Sequence, residues 1–226
     1  MSKQDIAPKD KLAYYLLKSV NKAIHDYGMI ADGDRVAVAV SGGKDSLTLF
    51  HLLRLRQNSA PEKYEIVAVH VVMLKSDGTL CTELDTRGTL AAYFEAERQA
   101  YAFEVINVGV QPDCFRCSYL RRKAIFVAAH RLGCNKVALG HHADDAAQTT
   151  LLNLFFHGKI ETLSPKRHFF GGQFELIRPM IYVPEKEIVR FARTCAFPLA
   201  RVNCPYGMTS RRRLVQNVIH TLEREY

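Results

Sequence analysis

The chain has no stretch that would carry it through or across a membrane. Its first residues, MSKQDIAPKDK, lack the apolar core of a secretory signal. No apolar run reaches the roughly 18 residues that a membrane-spanning helix requires. The expectation is a soluble, cytoplasmic protein with no membrane partner. Cysteine is scarce, since six in 226 residues are too few for a disulfide framework. There is no internal repeat and no low-complexity tract. Two familiar phosphate-binding signatures are also missing. The Walker loop needs a glycine, four residues, then Gly-Lys-Ser/Thr. Here Val38 stands where that first glycine would be, and Asp45 follows Lys44. The dinucleotide pattern GxGxxG is absent as well.

What is present suffices for a large core, because 48% of the residues are apolar. Lys and Arg total 31 against 23 Asp and Glu, a surplus of +8 that favours anionic partners without fixing a fold. Ten Tyr and twelve Phe beside that basic balance are compatible with RNA binding.

Patterning gives an alternation of helices and strands. Residues 11–27 are amphipathic at helical spacing and end at Gly28. Residues 35–40 form a short strand that is apolar on both faces, as a central parallel strand is. Helix is expected over 45–57, strand within 64–73, a polar loop over 75–82, helix over 86–102 and strand over 103–108. A loop carrying Cys114 and Cys117 precedes a helix over 118–132, a strand over 136–139 and a helix over 143–156. Residues 168–177 read as a β-hairpin around Gly171-Gly172, followed by helices over 185–195 and 210–225. The fold class is therefore α/β, a doubly wound parallel sheet with helices on both faces and a small C-terminal hairpin and helix extension. Three stretches are expected: an N-terminal helix within 1–30, a nucleotide-binding domain over 31–160, and a C-terminal segment over 161–226 packed on it.

Ser41-Gly42-Gly43-Lys44-Asp45-Ser46 lies where the first buried strand meets a helix. That is the geometry of a phosphate site, because a helix N-terminus offers free N–H groups and glycines let backbone approach an anion. Cys114-Phe115-Arg116-Cys117 is a CxxC, suited to half a zinc site, a redox dithiol or iron–sulfur ligands. No second CxxC completes a four-cysteine zinc site. Cys204, in VNCPYG, could add a third thiolate, and three thiolates can hold a [4Fe-4S] cluster with one iron open. Cys134 and Cys195 read as small core fillers.

SGGKDS, CFRCSYLRRKAI, LGCNKVALGHHADDAAQTTLLNLFFHGK, IRPMIYVPEKEIVRFA and FPLARVNCPYG, in this order, resemble the tRNA 2-thiocytidine synthetase family of PP-loop ATP pyrophosphatases. The resemblance implies an ATP-, Mg²⁺- and [4Fe-4S]-dependent enzyme that replaces the C2 oxygen of cytidine 32, in the tRNA anticodon loop, with sulfur. It implies that Ser41, Gly42, Gly43, Lys44, Asp45 and Ser46 bind the ATP phosphates, with His70, Gly140, His141 and Asp145 completing the nucleotide site. Lys44, Asp45, Cys114 and Cys117 would carry the chemistry, and Cys114, Cys117 and Cys204 would hold the cluster. His142 and Asp144 belong to the same HHADD motif. A sulfur donor such as a cysteine desulfurase is implied, and there is room for a homodimer. The basic stretches Arg121-Arg122-Lys123, Lys166-Arg167 and Arg211-Arg212-Arg213 are candidates for RNA backbone contacts. Other readings are thiolation or desulfuration of another base, such as 2-thiouridine formation, a lysidine-synthetase-like ligase, and a non-catalytic iron–sulfur module.

Overall fold

A computed structural model describes residues 8–81, 85–109, 114–199 and 211–225. Six strands form one sheet: β1 (Arg35–Ala39), β2 (Glu65–Leu74), β3 (Tyr101–Asn107), β4 (Lys136–Ala138), β5 (Lys166–Phe169) and β6 (Phe174–Ile177). Seven helices accompany them: α1 (Pro8–Tyr27), α2 (Lys44–Gln57), α3 (Arg87–Ala96), α4 (Cys114–Arg131), α5 (Ala143–His157), α6 (Glu185–Thr194) and α7 (Arg211–Glu225). The strand order is β3-β2-β1-β4-β6-β5. All neighbours are parallel except β5, which returns antiparallel along β6 and forms the edge.

The period of two along each strand divides the core. Val36, Val38, Ile66, Ala68 and Ile177 face one side, where residues of α1, α2, α3 and α6 bury against them. Ala37, Val67, Val69, Val137 and Leu176 face the other, under Ile125, Phe126, Ala128 and Ala129 of α4. Both faces of the central strands are covered, which is why they read as continuous apolar runs. The chain builds outward from β1 to β3 and then adds β4 on β1's other side. Strand order reverses there, and the connections leave a crevice beyond the carboxyl ends of β1 and β4.

Several boundaries differ from the sequence expectation, three of them in ways that bear on the cysteines or on β3. The third helix stops at Ala96 rather than continuing to residue 102, and β3 already begins at Tyr101. The stop is made by Arg98 in the left-handed region, φ 52°, with Gln99 N–H returning to the Phe94 carbonyl. A glycine usually marks such a stop, and here none does. The CxxC is not in a loop, since α4 starts at Cys114 itself. Cys195 lies just past the last residue of α6, at its C-cap. Among the described residues no helix is long and apolar enough to cross a membrane.

Candidate active site

β1 ends at Ala39 and α2 begins at Lys44, so the glycine loop is the whole connection. Gly42 takes φ 85°, a conformation that side chains resist. The loop is laced by its two serines. Ser46 Oγ donates to the Gly43 carbonyl at 3.0 Å and accepts the Ser41 N–H at 3.0 Å. Ser41 Oγ accepts the Gly43 N–H at 3.3 Å. Gly43 is the N-cap of α2 and supplies no side-chain hydrogen bond to it. The first N–H groups of α2 are thus available to an anion.

Two residues hold this loop from below. Buried His70 on β2 donates Nδ1–H to the Val40 carbonyl at 2.7 Å. Its Nε2 then accepts the Thr86 hydroxyl at 3.2 Å. Burial keeps the ring's pKa below the usual histidine value, although the Val40 carbonyl opposes that, so the ring is neutral. Gly140, just after β4, lies so close to α2 that a Cβ there would meet backbone atoms of Asp45 and Ser46 at 3.1 Å. A side chain there would require the first turn of α2 to give by a few tenths of an ångström.

Three helix N-termini meet at the crevice. Lys44, first in α2, donates to Glu185 Oε1 at 2.8 Å and lies 3.1 Å from Asp45 Oδ1. Burial alone would lower the Lys44 pKa, but the Glu185 hydrogen bond and the Asp45 charge outweigh it and hold the value above normal. Glu185 opens α6, and its N–H is capped by Asp144 Oδ2 at 2.7 Å. Asp144 and Asp145 sit in the first turn of α5, where the helix dipole favours carboxylates. Asp145 reaches back to the N–H of His142 at 3.1 Å and also accepts Arg212 of α7 at 2.7 Å. The buried ring of His142 lies between Asp45, Asp144 and Asp145, at 3.8, 3.6 and 3.4 Å.

One donor atom each from Asp45, His142 and Glu185 lies within 4.8 Å of the others, and among the described residues His142 Nδ1 is buried with no hydrogen-bond partner. The two carboxylates are the oxygen ligands that Mg²⁺ takes beside phosphates, while the imidazole suits softer divalent ions. His141, next door, accepts Arg178 Nε at 3.2 Å on its Nδ1. Burial, with the Arg178 charge beside it, pushes its pKa down to about 4, so its Nε2 carries the proton near neutral pH.

A family model described as a PP-loop domain matches residues 12–201. The tRNA-cytidine(32) 2-sulfurtransferase of Geobacter sulfurreducens is 39% identical, over 96% of this chain and 86% of that protein. The protein of the same name from Escherichia coli O1:K1 is 36% identical, over all of this chain and 73% of the relative. The chain belongs to the PP-loop tRNA-cytidine(32) 2-sulfurtransferase family. Its fold is also that of the U34-tRNA thiolase NcsA from Methanococcus maripaludis, solved with its [4Fe-4S] cluster. That likeness has a TM-score of 0.76 at 23% identity and covers 96% of this chain and 74% of the other.

The residues expected from the sequence of this family member fall at the carboxyl edge of one sheet. Ser41, Gly42, Gly43, Lys44, Asp45 and Ser46 form the loop, with His70 and Gly140 behind it and His141 and Asp145 on the β4–α5 wall. Cys114 and Cys117 occupy the first turn of α4, which follows β3 at that same edge. Cys204 lies outside the described residues. The sequence did not single out Glu185 or Arg178. Glu185 had one local signal, an acid in the first turn after Pro184, but nothing in the pattern links it to Lys44. Arg178 follows β6 directly, and only the fold brings it to His141.

Proposed function

We propose that this protein is an ATP-dependent tRNA thiolase that converts cytidine 32 of the anticodon loop to 2-thiocytidine in the cytoplasm. The observation that carries this is the meeting of the α2, α5 and α6 N-termini around Lys44, on the sheet edge where α4 opens with Cys114 and Cys117. The activity for which the relatives are named supports the choice of base.

The Gly42–Gly43 backbone and the first turn of α2 bind the β- and γ-phosphates of ATP, and Lys44 neutralises charge that develops as pyrophosphate leaves. Asp45 and Glu185 would hold Mg²⁺, which would add charge neutralisation at the phosphates. The cytidine must be unpaired and turned out of its stack, because C2 is hidden inside a helix. Its C2 oxygen attacks the α-phosphate, forming an adenylylated base and releasing pyrophosphate. His141 is placed to donate from Nε2 to an oxygen in the crevice while Arg178 fixes the ring. Sulfur then adds at C2, and AMP departs with the original oxygen. A [4Fe-4S] cluster would be held by Cys114, Cys117 and Cys204 and would supply the sulfur-delivering chemistry. A donor such as a cysteine desulfurase replenishes the sulfur.

The test is anaerobic purification followed by incubation with ATP, Mg²⁺, sulfide and an unmodified tRNA transcript. The expected result is 2-thiocytidine at position 32 by nucleoside mass spectrometry, with one AMP for each thiolated base. Release of ADP, or thiolation only at another base, overturns the reading. A full complement of iron and sulfide in Cys204→Ala removes the three-cysteine assignment.

A further inference from the structure

α4 is unusual in its surface. Its sequence, CFRCSYLRRKAIFVAAHR, contains no carboxylate, and its N-terminal end carries the positive pole of the helix dipole. Phe115, Tyr119 and Arg122 recur at spacings of four and three and so line one stripe. Phe115 is 83% exposed and Tyr119 58%, a costly display of aromatic area next to the CxxC. The next residue of the stripe, Phe126, is buried, with its ring 5.1 Å from Phe169 and 5.7 Å from Phe174. That aromatic contact seats the β5–β6 hairpin against α4.

The hairpin then supplies cations on the same side. Arg167 pairs with Leu176, whose side chain is in the core beneath α4, so Arg167 rises on the α4 face, its guanidinium 5.3 Å from the Phe169 ring centre. Arg178, at the end of β6, reaches from this face to His141 in the crevice. Among the described residues none of Arg122, Arg167 and Arg178 has an ion-pair partner within 4.0 Å. Burial, followed by the charges of Arg122 and Arg167, lowers the Arg178 pKa to about 10, and the Asp145 charge opposes that only in part.

We infer that this face is the RNA-docking surface: Arg122, Arg167 and Arg178 take backbone phosphates, and Phe115 and Tyr119 stack unpaired bases of the loop that presents the target. The partner's chemistry follows from the surface itself. Phosphates match arginines without a carboxylate in ion-pair contact, and exposed aromatic faces beside them match single-stranded bases rather than a stacked duplex. This rests on the reading of the protein as a tRNA thiolase and names where that enzyme holds its substrate.

The experiment is equilibrium binding of an unmodified tRNA transcript to the iron-loaded protein across a salt series. Phe115→Ala and the double variant Arg122→Gln/Arg167→Gln are compared with a control, Tyr14→Ala/Lys18→Ala, on α1 at the opposite face of the sheet. The aromatic variant is expected to bind roughly tenfold more weakly with an unchanged salt slope. The arginine variant is expected to bind roughly tenfold more weakly or worse, with a slope smaller by about one for each phosphate no longer neutralised. Both should keep wild-type ATP affinity and iron content, which reports that fold and cluster are intact. Full tRNA affinity and salt slope in both variants overturns the surface, as does an equal loss in the α1 control. Absence of tRNA binding by the wild-type protein instead overturns the thiolase reading, and the surface with it.

Discussion

Lys44 donates to Glu185 at 2.8 Å, joining the first residues of two helices that lie 141 positions apart in the chain. The bond holds the lysine over the phosphate loop and holds it charged, since Glu185 and Asp45 together outweigh its burial. Lys44→Ala is expected to lower the rate of AMP formation on the order of 10²- to 10³-fold, the scale seen when one preorganised donor to a developing oxyanion is removed. Glu185→Gln keeps the geometry but removes a charge from both the lysine and the proposed cation ligands. It should raise the Mg²⁺ concentration for half-maximal pyrophosphate release roughly 10- to 100-fold. A titration unchanged from wild type would remove Glu185 from the metal set.

Gly140 gives a test of the scaffold that touches no reacting group. A methyl group there would meet the backbone of Asp45 and Ser46 at 3.1 Å, and backbone cannot rotate out of the way as a side chain can. Gly140→Ala should therefore push the first turn of α2 out of line. A loss of about 1–3 kcal/mol in thermal or denaturant unfolding is expected, as for other overpacked sites. ATP binding by calorimetry should weaken as well, because α2 carries the N–H groups proposed to meet the phosphates.

Acid sensitivity should trace in part to a residue remote from the chemistry. His51 of α2 is buried between the rings of Phe191 and Phe197, and among the described residues its Nε2 has no partner. Burial, aided by the charges of Lys9 and Arg54, pushes its pKa down to about 4. The unfolded chain takes up this proton near pH 6.5, and the folded chain does not until about pH 4. Stability is thus intact above about pH 6.5 and falls as pH drops toward 4. His51→Leu removes that proton uptake without orphaning a partner. Denaturant unfolding at several pH values should show the variant at least as stable as wild type at pH 7, with a shallower decline between pH 6.5 and 4.

Much of this was legible in the chain because it is local. The strand, the glycine loop and the helix after it are contiguous, and so are β4 and the HHADD start of α5. The residues the sequence concealed depend on contacts across the fold. Lys44 meets Glu185, and His141 meets Arg178, only after the sheet brings β1, β4 and β6 side by side. The start of α4 was missed for another reason. The signal there was one residue long: Asp113, a favoured capping type, stands just before Cys114, and the CxxC drew the reading toward a ligand loop instead. The end of α3 was hidden because an arginine takes the left-handed position that usually shows as glycine.

His70 separates direct contact with nucleotide from support of the loop. Both ring nitrogens are engaged within the protein, one by the Val40 carbonyl just before the loop and the other by Thr86. In this arrangement the histidine would act through the backbone of residues 40–43 and position the proposed phosphate site. His70→Leu leaves the Val40 carbonyl buried and unsatisfied, at a cost of about 1–3 kcal/mol. It should loosen the loop, so KM for ATP rises while the single-turnover rate with saturating ATP stays close to wild type. His70→Gln can still donate to the Val40 carbonyl and should recover most of both stability and KM. A drop in the saturated rate for His70→Gln, with stability restored, would instead put the imidazole in contact with the reacting nucleotide.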